Sequence, residues 1–165
     1  MEAQPPADWE LRAEGDSLPE PTYRDFENLL AFRVALRRFQ HWSQQQARTA
    51  GLTHVQHQLL VAIKGHSGEL PPTISEVAEY LLLRPHSAVE LVHRAVAAGL
   101  VRRRPDPRDG RVARVELTGE GDRLVTDLAH VHLAELHKLS AVLNRLVTED
   151  YLGSPGEPGL TRSGP

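Results

Sequence analysis

Eight arginines stand between residues 84 and 114 (Arg84, Arg94, Arg102, Arg103, Arg104, Arg108, Arg111 and Arg114). Only three acids oppose them, Glu90, Asp106 and Asp109, so this stretch carries +5 in a protein whose net charge is −3. Guanidinium groups at this density neutralise phosphate, and a single arginine fork can also grip the O6 and N7 edge of guanine. Arg84, His86 and Ser87 sit where a helix begins, which is where a major-groove helix presents side chains to base edges and where its terminus favours phosphate. Arg102, Arg103 and Arg104 alternate across a strand, so two are expected on phosphate and one toward the protein body. Arg108 stands at the tip of a Pro107-Arg108-Asp109-Gly110 turn, placed to enter a minor groove. Asp106 is expected to brace that turn by pairing with Arg111. Arg111 counts with the others among the DNA-contacting candidates, whereas Arg94 and Arg114 read as surface charge.

The elements that must position these residues are legible in order. Thr22 caps a long helix running to about Ala50, stopped by Gly51. Its apolar residues Phe26, Leu29, Leu30, Phe39 and Trp42 make a face wider than one core layer requires, which points to a dimer. Thr53 with Gln56 opens a second helix, containing Leu59, Leu60 and Ile63, that ends near Gly65. Thr73 with Glu76 opens a short third helix with Ile74, Val77, Ala78 and Leu81 inward. A first-turn Pro85 starts a fourth that stops at Gly99, with Val89, Val92, Ala95 and Val96 as its packing face. Val101–Pro105 and Val112–Leu117 read as strands. Thr118 caps a long final helix in which Leu124, Leu128, Val131, Leu139, Val142 and Leu146 recur at helical periods. The expected fold is mainly α with a small β-hairpin wing: a winged helix-turn-helix over about 52–117, between long dimerisation helices over about 22–50 and 118–150. Residues 1–20, with six acids, one arginine and three prolines, read as an acidic arm, and 153–165 as a disordered tail.

From Leu52 to about Leu146 the chain resembles the multiple antibiotic resistance regulator (MarR) family of winged-helix transcription factors. The resemblance rests on the helix opened by Thr73 and Glu76, the segment RPHSAVELVHRAVAAGLV, the DPRDGR wing and the LTGEGDRL helix start. Asp106, Arg108 and Arg111 occupy the family's acidic-x-Arg-x-x-Arg wing pattern. The segment departs from the family where Arg84 and His86 stand among the usual Ser and Thr, so the operator is not carried over. The resemblance implies a homodimeric, cytoplasmic transcriptional regulator, a repressor on an inverted-repeat operator, whose partners are double-stranded DNA and a second copy of the chain. It also implies a small organic effector in the crevice between dimer frame and winged helix, where Arg33, His41, Trp42 and His57 are the candidate lining. No cofactor is implied.

Nine histidines raise a zinc-responsive alternative: His130 and His137 share a face of the last helix, with His132 off it, and His41, His54 and His57 lie on the first two helices. No HExxH and no i, i+4 pair supports it, and solvated histidines are the plainer account. The absence of cysteine excludes disulfides, thiolate zinc sites and cysteine oxidation. No apolar run approaches the roughly 18 residues of a membrane span, and no nucleophile elbow, phosphate loop or paired-carboxylate pattern points to an enzyme. A winged-helix module that binds protein instead of DNA is the remaining alternative, and it predicts a wing stripped of arginine.

Overall fold

The structure, a computed structural model, describes residues 20–151. The acidic arm (all but its last residue) and the tail expected from 153 lie outside the described residues, as do the side chains of Val142 and Leu146. Five helices and one hairpin follow in the order α1 (Tyr23–Thr49), α2 (His54–Lys64), α3 (Ile74–Tyr80), α4 (Pro85–Ala97), β1 (Val101–Pro105), β2 (Ala113–Leu117) and α5 (Gly119–Tyr151). This is a mainly helical winged helix-turn-helix set between two long helices.

Local chemistry sets most of the boundaries. Thr22 with Asp25, Thr53 with Gln56 and Thr73 with Glu76 form reciprocal capping boxes, each satisfying two otherwise orphaned donors. Arg84 is the N-cap of α4 but makes no side-chain cap bond, so Pro85 in the first turn starts that helix. α1 and α4 end in the same motif. Gly51 and Gly99 take positive φ, and the following amides of Leu52 and Leu100 reach back to the carbonyls of Ala47 and Ala95. α3 ends the same way without a glycine: Leu82 holds φ of 51° while its amide donates to Glu79 and that of Leu83 to Ala78.

One core joins α2, α3, α4 and the hairpin, centred on Leu59, Leu60, Val77, Leu91, Val92, Val101 and Val115, with Val125 and Leu128 of α5 and Ala47 of α1 closing it. The buried face of α4 is Ala88, Leu91, Val92 and Ala95. It is rotated from the expected one: Val96 lies outside, because Leu91 and Ala88 fill the place against α2 and α3. Gly121, early in α5, packs so closely on the Leu100 carbonyl that a Cβ there would collide with backbone.

Candidate nucleic-acid interface

The surface of α4 opposite its core face carries His86, Glu90, His93 and Ala97, spaced four, three and four residues apart and all exposed, with Arg94 beside them. Arg84 and His86 are exposed at the helix start and Ser87 is half-buried, its amide donating to the Arg84 carbonyl at 2.9 Å. These first-turn side chains project from the end of the second helix of the helix-turn-helix, the position from which such a helix reaches a groove.

The hairpin beside it is antiparallel, pairing Arg102 with Glu116, Arg103 with Val115, and Arg104 with Arg114. Alternation puts Arg102, Arg104 and Asp106 on one face with Glu116 and Arg114, while Val101, Arg103 and Val115 share the other. Arg103 is therefore the one of the three on the core-facing side. Its guanidinium donates to His93 Nε2 at 3.0 Å and ties the wing to α4. Arg102 and Arg104 both donate to Glu116, yet each side chain stays more than half exposed. Burial raises the Glu116 pKa, but the two guanidinium donors outweigh it and leave the group below the usual carboxylate range.

Asp106 anchors the wing turn through a different arginine from the one expected. Its Oδ1 accepts from the backbone amides of Arg108 (2.6 Å) and Asp109 (3.0 Å), and its Oδ2 accepts from Arg114, not Arg111. The register explains the correction. Asp106 donates its amide to the Val112 carbonyl, so Arg114, two residues along, shares its face, whereas Arg111 lies in the turn, its amide on Asp109. The Arg108 amide, then the Arg114 side chain, hold the Asp106 carboxyl below its ordinary value. Arg114 is no surface charge: it is half-buried and also donates to the Pro71 carbonyl at 2.5 Å. With the Thr73–Arg114 bridge and the Val115 amide on Pro72, that bond stitches the hairpin to the entrance of α3. The wing tip itself is open. Arg108 is 79 % exposed, and among the described residues its ion pair is with Glu69, itself more exposed, at 3.8 Å, a pair too solvated to hold it.

Behind this surface lies a cleft of about 520 Å3 between α1, α2 and the end of α3. Leu36, Phe39, Gln40 and Ser43 line it from α1, His54, His57, Gln58, Val61 and Ala62 from α2, Tyr80 from the end of α3, and Leu81 and Leu82 from the turn that follows. Of the four residues expected to line such a crevice, only His57 does. Leu36, Gln40 and Ser43 define the α1 face turned toward α2. His41 is about 100° further round, exposed and bonded to Gln45 at 3.0 Å. Trp42 turns to α5, its ring 4.9 Å from that of His132, and Arg33 is exposed beyond the cleft.

His132, set aside in the sequence, is the histidine of α5 that meets the others. Its Nε2 lies 2.8 Å from the Ser43 hydroxyl, its Nδ1 2.8 Å from the Leu128 carbonyl, and its ring 4.5 Å from that of His57. Its neighbours Val125 and Leu128 precede it at three- and four-residue steps, a signal that could have placed it inward. Burial pushes His57 down to about 4, with His132 and then His54 adding to the effect; burial, then His132, lowers His54. The Nδ1 atoms of His54 and His57 are buried without a hydrogen-bond partner. His130 and His137 are exposed, and among the described residues no group of three or more His, Asp or Glu is placed to hold a metal ion.

Residues 50–112, which contain the helix-turn-helix and most of the wing, match the model of the MarR family. The match makes this segment similar to the winged helices of the MarR family. The chain is similar in fold to AbsC, a MarR family transcriptional regulator from Streptomyces coelicolor, with 20 % identity over 84 % of this chain and 86 % of that one and a TM-score of 0.60. It is also similar to S. aureus MepR in a DNA complex (20 % identity, 80 % and 92 % covered, TM-score 0.62). A third likeness is to the M. tuberculosis transcriptional regulator MOSR in complex with DNA (23 %, 68 % and 80 %, 0.52). No curated protein matches the chain in sequence. AbsC is a transcriptional regulator, not an enzyme, and no described helix of this chain is long and apolar enough to cross a membrane.

Proposed function

We propose that this chain is a homodimeric, cytoplasmic repressor of the MarR family that binds an inverted-repeat operator and is released by a small organic effector. The observation that carries the reading is the free cationic surface of α4 and the wing. Arg84, His86, Arg94, Arg108 and Arg111 are exposed, while Asp106 and Glu116 are held inside the hairpin by arginines of their own. In this reading Arg84, His86 and Ser87 face base edges, Arg102, Arg104 and Arg111 meet phosphate, Arg103 ties the wing to α4, and Arg108 enters the minor groove. The structures of MepR and MOSR with DNA support it. A protein-binding module predicts a wing stripped of arginine, whereas Arg102, Arg104 and Arg108 here remain more than half exposed.

Dimerisation through α1 and α5 is supported by Phe26, Leu29 and Leu30 of α1, each more than half exposed, and by Leu133 of α5. Two-fold pairing there would set the α4 helices on half-sites about 10 base pairs apart. The cleft is the effector site of this reading, because two buried imidazole nitrogens without partners point to a ligand carrying hydrogen-bonding groups on an otherwise apolar body.

Selection of duplexes from a random pool by the purified chain, with titration at several salt concentrations, tests it. Arg84→Ala is expected to weaken the selected site by about 1–3 kcal/mol and relax one base per half-site. Arg108→Ala is expected to lose most on sites with A·T-rich flanks. No retention of any duplex at low salt, or a monomer by sedimentation at micromolar concentration, overturns the proposal.

A further inference from the structure

The fold gives three of the four acids between residues 84 and 117 a task. Asp106 closes the wing turn and pairs with Arg114, Asp109 accepts from the Arg111 amide at 3.0 Å, and Glu116 neutralises part of Arg102 and Arg104. Glu90 is different. It lies on the outward stripe of α4, one turn after His86 and one turn before Arg94, and it makes no ion pair or side-chain hydrogen bond among the described residues. Its neighbours on the helix surface are His86, His93 and Arg94, all exposed, and the half-buried Ser87.

A lone carboxylate in the middle of a surface meant for a polyanion is repelled by phosphate and weakens binding to every sequence alike. One group in the major groove reverses that balance, the exocyclic N4 amine of cytosine, which donates to a carboxylate. We propose that Glu90 is a specificity-determining residue of this chain, accepting from cytosine N4 so that each half-site requires a C·G pair under the second turn of α4. The inference rests on the DNA-binding reading above and goes beyond it, since neither Arg84 nor the wing accounts for a cytosine. The same carboxylate serves twice: it selects one base pair and it lowers affinity for all sites that lack it.

The test is selection from a randomised duplex pool by the full chain, by Glu90→Gln and by Glu90→Ala, followed by titration of the winning site and its single-base variants at fixed salt. Wild type is expected to select an invariant cytosine at one position per half-site, with other bases there weakening binding about 10- to 100-fold. Glu90→Gln should move the preference at that position alone to adenine, whose N6 and N7 suit an amide. Glu90→Ala should abolish the preference there and tighten binding to unrelated duplex. Thermal melting should be unchanged in both, because the side chain is exposed and contacts no core residue. Unchanged site preference in both variants overturns the inference while leaving DNA binding intact, as does uniform tightening with no change at any base. Failure of the wild type to retain any duplex overturns the underlying reading as well.

Discussion

The winged helix and the frame around it use their apolar residues differently. Between Leu52 and Val115 nearly every large aliphatic side chain of α2, α4 and β1 that faces inward is buried, and Leu59, Leu60, Val77, Val92 and Val115 are at or below 1 % exposure. In α1 and α5 the balance is reversed: Tyr23, Phe26, Leu29, Leu30 and Phe32 are exposed, as are Val131, Leu133 and Leu136, while Ala47, Val125 and Leu128 are buried in the core and Leu124 packs against it. The first region closes on itself within one chain. The second leaves its apolar face uncovered within one chain, and the proposed dimer would cover it. The two differ because a three-helix unit with a hairpin surrounds its centre, whereas two long helices side by side cover only one face of each other.

Truncation at matched leucines sharpens this contrast most. Leu59→Ala, at a site with no exposure, is expected to cost about 2–5 kcal/mol in denaturant unfolding, since it removes packed methyl groups and leaves a cavity. Leu30→Ala is expected to leave the m-value unchanged and to act instead on the concentration dependence of the midpoint, because its side chain is 63 % exposed in the single chain. Equal, concentration-independent losses at both positions would erase the distinction.

The histidines at the seam come next. His57 belongs to α2 yet is packed against His132 of α5, so it joins the two regions. Its folded value, about 4, lies below the ordinary 6.5, so the unfolded chain takes up the proton first. Stability is therefore intact above pH 6.5, falls as pH drops from 6.5 toward 4, and levels off below. The total loss is about 3 kcal/mol from this group. His57→Leu is expected to flatten that part of the pH profile measured by thermal melting. A profile of unchanged steepness would place the acid sensitivity in other groups.

The smallest effect is expected at Leu82, which borders the cleft between the two regions and is 93 % exposed at positive φ. Leu82→Gly should stabilise the chain by about 1 kcal/mol, because glycine occupies the left-handed region without a Cβ clash. If the variant is more stable but no longer responds to an effector, the strained leucine is retained for the cleft. If it is less stable, the α3 end is not strained at all.

Helix ends and the wing were open to reading in the chain itself. Thr22, Thr53 and Thr73 with their acceptors three residues on, Pro85, and the glycines at 51 and 99 act over a few residues, so their physics is local and survives in any context. The arginine-rich hairpin and its turn were legible for the same reason. What remained out of reach is everything that depends on which faces meet. That Asp106 takes Arg114 depends on strand register, and a shift of one residue would have given it another partner. That His132 rather than His130 or His137 joins His57, and that His41, Trp42 and Arg33 stand away from the cleft, depends on how far α1 and α5 are rotated about their own axes against α2. Sequence periodicity gives the relative angles of side chains on one helix. The absolute rotation is decided only when Ser43 and Ala47 of α1, Leu59 and Leu60 of α2, and Val125 and Leu128 of α5 are packed together, because burial is a property of the contact and not of the residue.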